Sequence, residues 1–359
     1  MTPLLDDSKR WRVVQDDTLA LLPDLPDASV DAVVCDPPYG IDFHSQEWDG
    51  RTIRRTARSR GERVSNGQAF ERWTQSWATE LGRVLKPGGH LLAFGAPRMA
   101  HRLISGVEDS GLEIRDVLMW LHGQGMPKSR RLPDGQGTAL KPFYEPILLA
   151  RRPLEAPVAD NIARHGTGAM NTEACALEPD AGESRRRWPA HVVMSHSPGC
   201  RPRRCAPGCP AATLEDQQAG ASRFLYCAKA SRRERDAGCE HLPARPTGLF
   251  PTAARDASGP AVRNPHPTVK PIALMRWLVA LVCPPGGLVL DPFCGSGTTG
   301  AAAVLEGRRF VGIELDPHHA DVARARITHW SRHANDEQDG DGEDRTPRPT
   351  RAGRARRPA

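Results

Sequence analysis

Apolar positions in the first third of the chain group into short runs whose spacing spells strands and helices in turn. Val13 and Val14 form an apolar pair, an amphipathic stretch follows through Leu22, and the run Val30 to Cys35 stops abruptly at Asp36-Pro37-Pro38-Tyr39-Gly40. That pattern predicts a strand delivering a rigid loop. Phe70, Trp73, Trp77, Leu81, Val84 and Leu85 recur at helical spacing, and Lys86-Pro87-Gly88-Gly89 predicts a turn into an apolar strand from His90 to Phe94. A second α/β unit runs from Met99 to Leu121. Trp73 and Trp77 read as core rather than as a stacking platform.

From residue 123 to residue 265 periodicity largely fails, except for a buried strand expected at Tyr144 to Ala150. Order returns with a helix from about Ile272 to Val282, a strand at Gly287 to Leu290, a glycine-rich loop, a helix at Thr299 to Glu306, a strand at Phe310 to Glu314 and a helix from His318 to about Trp330. This β-loop-α-β unit marks the α/β class. Residues 1–122 and 266–332 are expected to be two halves of one domain, with 123–265 inserted between them. The tail 333–359 is acidic and then rich in Arg and Pro, with almost nothing to build a core from, so it is expected to be disordered.

Composition narrows the partners. The chain carries 49 Lys and Arg against 43 Asp and Glu, a formal net charge of +6, and its pI is near 9.0. A basic surface suits a polyanion, because cationic side chains release the counterions condensed on it. The start of the chain has no basic region followed by an apolar stretch, and the apolar run from Pro271 to Pro285 is interrupted by Arg276. A cytoplasmic protein with no membrane partner is expected. Nine cysteines in that setting should stay reduced, so a cluster of them points to metal ligands before disulfides.

Two motifs carry the chemistry. In Leu288-Val-Leu-Asp-Pro-Phe-Cys-Gly-Ser-Gly-Thr-Thr299 a strand ends in an acid and a Gly-x-Gly turn, which lets backbone approach a ligand at the carboxyl edge of a parallel sheet. Glu314, closing the next strand, is placed to accept hydrogen bonds from ribose hydroxyls. Together they describe an adenosine pocket; the Gly-Lys-Ser/Thr of a phosphate-binding loop is missing. In Asp36-Pro37-Pro38-Tyr39 the prolines fix the backbone, so the Asp36 carboxylate and the Pro37 carbonyl can present acceptors to one amino group while Tyr39 offers a flat face to a base.

The pairing of Asp-Pro-Pro-Tyr with Asp-Pro-Phe-x-Gly-Ser-Gly-Thr-Thr resembles the DNA amino-methyltransferases, and the order, catalytic motif first and cofactor motif last, is similar to their β class. The resemblance covers most of residues 12–330. It implies a doubly wound, mainly parallel Rossmann-like methyltransferase sheet with a loop-rich target-recognition insert. It also implies S-adenosylmethionine as cofactor, bound by Asp291, Phe293, Gly295, Gly297, Thr298 and Glu314, with Asp17 near the adenine. Thr268 and Lys270, in His266-Pro-Thr-Val-Lys-Pro271, would wrap the methionine end. The implied partner is double-stranded DNA, whose target base is flipped out against Tyr39; a homodimer and a cognate restriction endonuclease are allowed but not fixed. Aspartate at position 36 favours adenine N6 over cytosine N4, which stays open. RNA or protein-glutamine methylation is disfavoured by the motif order, and a non-catalytic zinc-bearing DNA-binding module would leave both loops without a purpose.

Within the insert, His196-x3-Cys200-x4-Cys205-x3-Cys209 gathers four soft or borderline ligands within fourteen residues, a spacing compatible with one structural zinc. Cys227, Cys239 and His241 are replacement ligands. His122, Lys128, Arg130 and Arg131 border a glycine-rich loop that could track phosphate.

Overall fold

The computed structural model describes residues 9–42, 49–50, 52–54, 64–122, 132, 134–140, 142–177, 188–195, 200, 204–207, 209–217, 225–227, 229–244 and 262–339. Strands β1 (Trp11–Gln15), β2 (Val30–Cys35), β3 (Leu85–Phe94), β4 (Glu113–Leu121), β5 (Tyr144–Arg151), β6 (Val192–Met194), β7 (Leu225–Tyr226), β8 (Leu288–Asp291) and β9 (Arg309–Glu314) form one sheet. Among the described residues it has nine strands in the order β1-β9-β8-β2-β3-β5-β4-β6-β7. All neighbours are parallel except β5, which runs antiparallel to both β3 and β4.

The centre of the sheet follows from β2. Its six residues are all buried, as expected of a parallel strand covered on both faces. Ala32 and Val34 point into one core, and Val30, Val33 and Cys35 into the other. Asp31 interrupts this run without an energetic contradiction: its carboxylate accepts from Lys86 Nζ at 2.6 Å and from the Leu288 N–H at 2.7 Å, which ties the acid to both neighbouring strands.

The helices that pack on or extend from this sheet include α1 (Thr18–Leu21), α2 (Asn66–Val84), α3 (Ala100–Glu108), α4 (Val158–His165), α5 (Pro210–Gln217), α6 (Arg232–Asp236), α7 (Ile272–Val282), α8 (Thr298–Leu305) and α9 (Pro317–Asp339). A Ser65–Gln68 capping box starts α2, whose buried Phe70, Trp77, Leu81 and Val84 lie on one helical face. Helices α2 and α3 cover one side of the sheet, and α7, α8 and α9 the other. The reversal falls between β2 and β8, the crevice where doubly wound sheets bind ligands beyond the strands' carboxyl ends. Gln15, Cys35, Asp291 and Glu314 all close strands at that edge.

Three expectations change. Residues 86–89 belong to β3 rather than to a turn before it: between the Val30–Leu85 and Ala32–His90 pairs, β3 advances five residues while β2 advances two. The Lys-Pro-Gly-Gly segment is therefore a wide bulge within the strand. The insert also contributes to the sheet beyond β5, through the short strands β6 and β7 on its far end. Finally, α9 runs to Asp339, past the expected start of the tail at 333, because Ala334 continues the buried stripe of Ala320, Ala323, Ile327 and Trp330. Among the described residues, no helix is long and apolar enough to cross a membrane.

Candidate active site

Asp36 emerges where β2 ends, and the loop that follows is clasped from behind. The buried carboxylate of Asp49 accepts from the N–H groups of Tyr39 at 2.6 Å, Gly40 at 2.9 Å and Ile41 at 3.2 Å. With two prolines limiting the backbone, the Asp36 side chain has a fixed position. Its Oδ1 accepts from the Tyr39 hydroxyl at 2.8 Å, and its Oδ2 accepts from Lys270 Nζ at 2.5 Å.

Lys270 reaches this point from the segment expected to wrap a cofactor, and the structure places it against the Asp-Pro-Pro-Tyr loop. Its ammonium lies 3.2 Å from the Tyr39 hydroxyl and 3.3 Å from Glu145 Oε2. The Tyr39 hydroxyl is also 3.1 Å from Glu145 Oε2, and His122 Nε2 donates to Glu145 Oε1 at 3.0 Å. His122 is therefore a buried partner of the site, not part of a solvated phosphate-tracking loop; Lys128, Arg130 and Arg131 lie outside the described residues.

One ammonium thus sits between two carboxylates in a poorly solvated pocket. Burial raises the pKa of Asp36 against the opposing pull of Lys270. Burial also works against Glu145 ionising, but Lys270 and His122 overcome it and hold that pKa well below the usual carboxylate range. For Lys270, burial is outweighed by Asp36 and Glu145, and its pKa rises. Burial, followed by the two carboxylates, keeps the Tyr39 phenol protonated as a donor.

The glycine-rich loop lies on the adjacent strand. Gly295 and Gly297 adopt φ of +51° and +75°, the left-handed region that favours glycine. The Phe293 N–H donates to Asp291 Oδ1 at 3.0 Å, and the Gly295 N–H to Glu314 Oε2 at 2.6 Å. Trp73 and Trp77 flank the Phe293 ring, each with its centroid 5.6 Å away, so the tryptophans are packing residues that orient it. Asp17 caps α1, accepting from the Leu19 and Ala20 N–H groups, while the Thr18 hydroxyl donates to the Pro292 carbonyl and ties that cap to the loop.

A fully buried arginine, Arg326, holds the loop from below. Its Nη1 donates to the Ser296 carbonyl at 2.7 Å, to Ser296 Oγ at 3.1 Å and to Thr298 Oγ1 at 2.9 Å. Thr298 is thereby engaged by the protein itself. His266 closes over the loop from above: a Cβ added at Gly295 would meet its Nε2 at 2.8 Å. The Thr268 N–H points back to His266 Nδ1 at 3.4 Å, and Arg235 donates to the His266 carbonyl at 2.6 Å.

Asp291 is 2% exposed. Burial pushes its pKa up to about 7 from 3.8, against hydrogen bonds from Thr299 and Phe293. The folded protein then holds a proton that the unfolded chain releases, so this group's contribution to stability declines as pH rises from about 4 to about 7 and is flat above. Asp291→Asn should remove that slope. Relative to the parent, the variant should gain on the order of 1 kcal/mol per pH unit between pH 5 and 7, as read by denaturant melts. A difference independent of pH would contradict the assigned environment.

Of the expected metal ligands, Cys200, Cys205 and Cys209 are brought together, with their sulfur atoms within 4.8 Å of one another. His196 lies outside the described residues. The replacement ligands are not gathered there: Cys227 is buried in the main core and Cys239 packs against Val322 and Ala325 of α9, while His241 is exposed.

A mainly parallel sheet that presents an acid-Gly-x-Gly loop on one strand and a clasped Asp-Pro-Pro-Tyr loop on its neighbour defines a Rossmann-like methyltransferase domain. Residues 30–325 match the family model N6_N4_Mtase, described as DNA methylase, and the chain belongs to that family of DNA amino-methyltransferases. It is 25% identical over 356 residues to the Type II methyltransferase M.HindIII of Haemophilus influenzae, covering 88% of this chain and 94% of that protein. A shorter stretch of 69 residues is 44% identical to the DNA adenine methyltransferase YhdJ of Escherichia coli, covering 18% of this chain and 24% of that protein. Among solved structures, the PvuII DNA methyltransferase (cytosine-N4-specific) superposes with a TM-score of 0.53 at 14% identity, covering 93% of this chain and 94% of that one.

Proposed function

We propose that this chain methylates N6 of adenine in double-stranded DNA, with S-adenosylmethionine as donor. The observation that carries the reading is the seat of the Lys270 ammonium, a nitrogen donor held 2.5 Å from Asp36 Oδ2 beside Tyr39, on the strand adjacent to the glycine-rich loop. An exocyclic amino group has the same donor chemistry and needs the same acceptor.

The residues fit the cofactor. Glu314 closes β9, Asp17 caps α1 just after β1 ends, the Phe293 ring is only partly covered, and the left-handed Gly295 and Gly297 turn the loop tightly at this edge of the sheet. Asp291, Phe293, Gly295, Gly297 and Glu314 would hold it. When bound, S-adenosylmethionine supplies an electrophilic methyl group on a sulfonium centre.

The chain's own residues do the remaining work. A base inside a duplex is out of reach and has to be flipped into the pocket, where the Tyr39 ring supports it. Its amino group displaces Lys270 from Asp36, and the ammonium moves onto Glu145, only 3.3 Å away in the resting state. Losing its cation makes Asp36 a stronger acceptor, which raises electron density on a conjugated, poorly nucleophilic nitrogen. The proton that this nitrogen would give up on methylation has a destination at Asp36 Oδ2, which Lys270 has vacated. Glu145→Gln should weaken the alternative seat for Lys270, lowering kcat for DNA methylation by about tenfold or more while cofactor affinity is unchanged. An unaltered kcat would remove Glu145 from the mechanism.

Adenine is supported by Asp36 at the first motif position and by the local likeness to YhdJ. Nucleoside mass spectrometry of DNA from cells expressing the chain should find N6-methyladenine absent from cells expressing Asp36→Ala. N4-methylcytosine in its place would keep the family and overturn the base.

A further inference from the structure

Strands β4, β6 and β7 run parallel to β2, so the chain leaving β6 after Met194 emerges on the same edge of the sheet as Asp36. The segment returns at β7, and its two ends are tied: Ser195 Oγ donates to the Cys227 carbonyl at 2.5 Å, and the Cys227 N–H donates to the Met194 carbonyl at 2.8 Å. Ser195 also accepts from Trp120 Nε1 at 3.1 Å, two residues before His122. The described residues that flank this excursion, Ser195 and Leu225 to Cys227, are therefore tied to the strand that leads to His122.

Little apolar material is available to order it. Among the described residues its core is Met194, Cys209 and Ala211, with partly buried Leu121, Val192, Ala212 and Leu214 around them, separate from the two main cores. In that setting Cys200, Cys205 and Cys209 converge from three points of the chain until their sulfurs lie within 4.8 Å of one another. No disulfide involves any of them. The Ala206 N–H points at Cys200 Sγ at 3.2 Å, which helps fix the direction of that sulfur. No other group of three or more potential ligands converges this closely among the described residues.

We propose that Cys200, Cys205 and Cys209 bind one zinc ion, which holds the β6–β7 excursion in shape beside the substrate edge. Three thiolates suit a tetrahedral thiophilic ion and leave one position for a further ligand or water. A metal can order a segment that has too little core to order itself. Its expected effect on DNA binding rests on the methyltransferase reading; the metal site itself does not.

The full-length protein, purified without chelator, is analysed for metal content and then titrated with cobalt(II). About one zinc per chain and a sulfur-to-cobalt charge-transfer band are expected. Cys205→Ser, at a partly exposed position, should lose both while keeping the parent's circular dichroism, and Cys239→Ser, outside the cluster, should keep both. Zinc below stoichiometry with no charge-transfer band, or zinc undiminished in Cys205→Ser, overturns the site. With zinc gone, affinity for duplex DNA should fall by more than about tenfold while S-adenosylmethionine affinity is unchanged. Stoichiometric zinc whose loss leaves DNA affinity intact overturns the positioning role alone.

Discussion

Asp36→Ala is expected to reduce methyl transfer at least about a thousandfold while leaving S-adenosylmethionine affinity within a factor of two or so of the parent. The magnitude follows from losing a preorganised acceptor at a site with little water, where one such group is worth about 10²–10³ in rate, together with the loss of the proton's destination. The cofactor contacts lie on a different strand, around Asp291 and Glu314. Folding should survive, because the Asp36 side chain is 18% exposed and Lys270 keeps Glu145 as a partner. Single-turnover kinetics and cofactor calorimetry on the same preparation check both halves. Asp36→Asn refines the test: it keeps the shape and one acceptor but cannot carry a full negative charge, so its rate should also collapse.

Gly297→Ala should damage both stability and cofactor binding. The added Cβ would lie 2.8 Å from the Ala323 Cα of α9 and 3.0 Å from its carbonyl oxygen. Backbone within a packed helix cannot swing aside as a side chain does, and the φ of +75° is unfavourable for alanine in any case. Overpacking and left-handed strain each cost roughly 1–3 kcal/mol, so a total on the order of 3 kcal/mol is expected. The loop displaced by α9 is the one that would hold the cofactor, and affinity should fall by more than about tenfold. At Gly295 the obstructing group is the tip of the His266 side chain, which can rotate, so Gly295→Ala should cost less stability than Gly297→Ala. Calorimetric melting and cofactor titration compare the two, and equal, near-zero effects would remove the loop from the site.

The strands and helices that build the central sheet were legible because their periodicity is strong: β2, β8, α2 and α7 lie within a residue or a few of the positions expected from apolar spacing alone. Both loops could be placed for the same reason, since each directly follows a readable strand. What could not be read depends on long-range contact. Strands β6 and β7 have three and two residues, too few to show alternation, and they exist because β4 offers an edge. Asp49 gives no local sign that it clasps a loop ten residues earlier. Glu145 did leave a signal, an acid at the start of an otherwise apolar strand, and so did Arg326, an arginine on the buried stripe of α9. Neither can be assigned a role until the sheet brings Lys270 to one and the glycine-rich loop to the other.

The most direct test of the central claim follows a labelled methyl group. The purified protein is incubated with methyl-labelled S-adenosylmethionine in the presence of duplex DNA, RNA and protein together, and each fraction is counted. Label in DNA, released on digestion as a base methylated on its exocyclic amino group and lost in Asp36→Asn, is the expected result. Label confined to RNA or protein, or DNA label undiminished in Asp36→Asn, would contradict it.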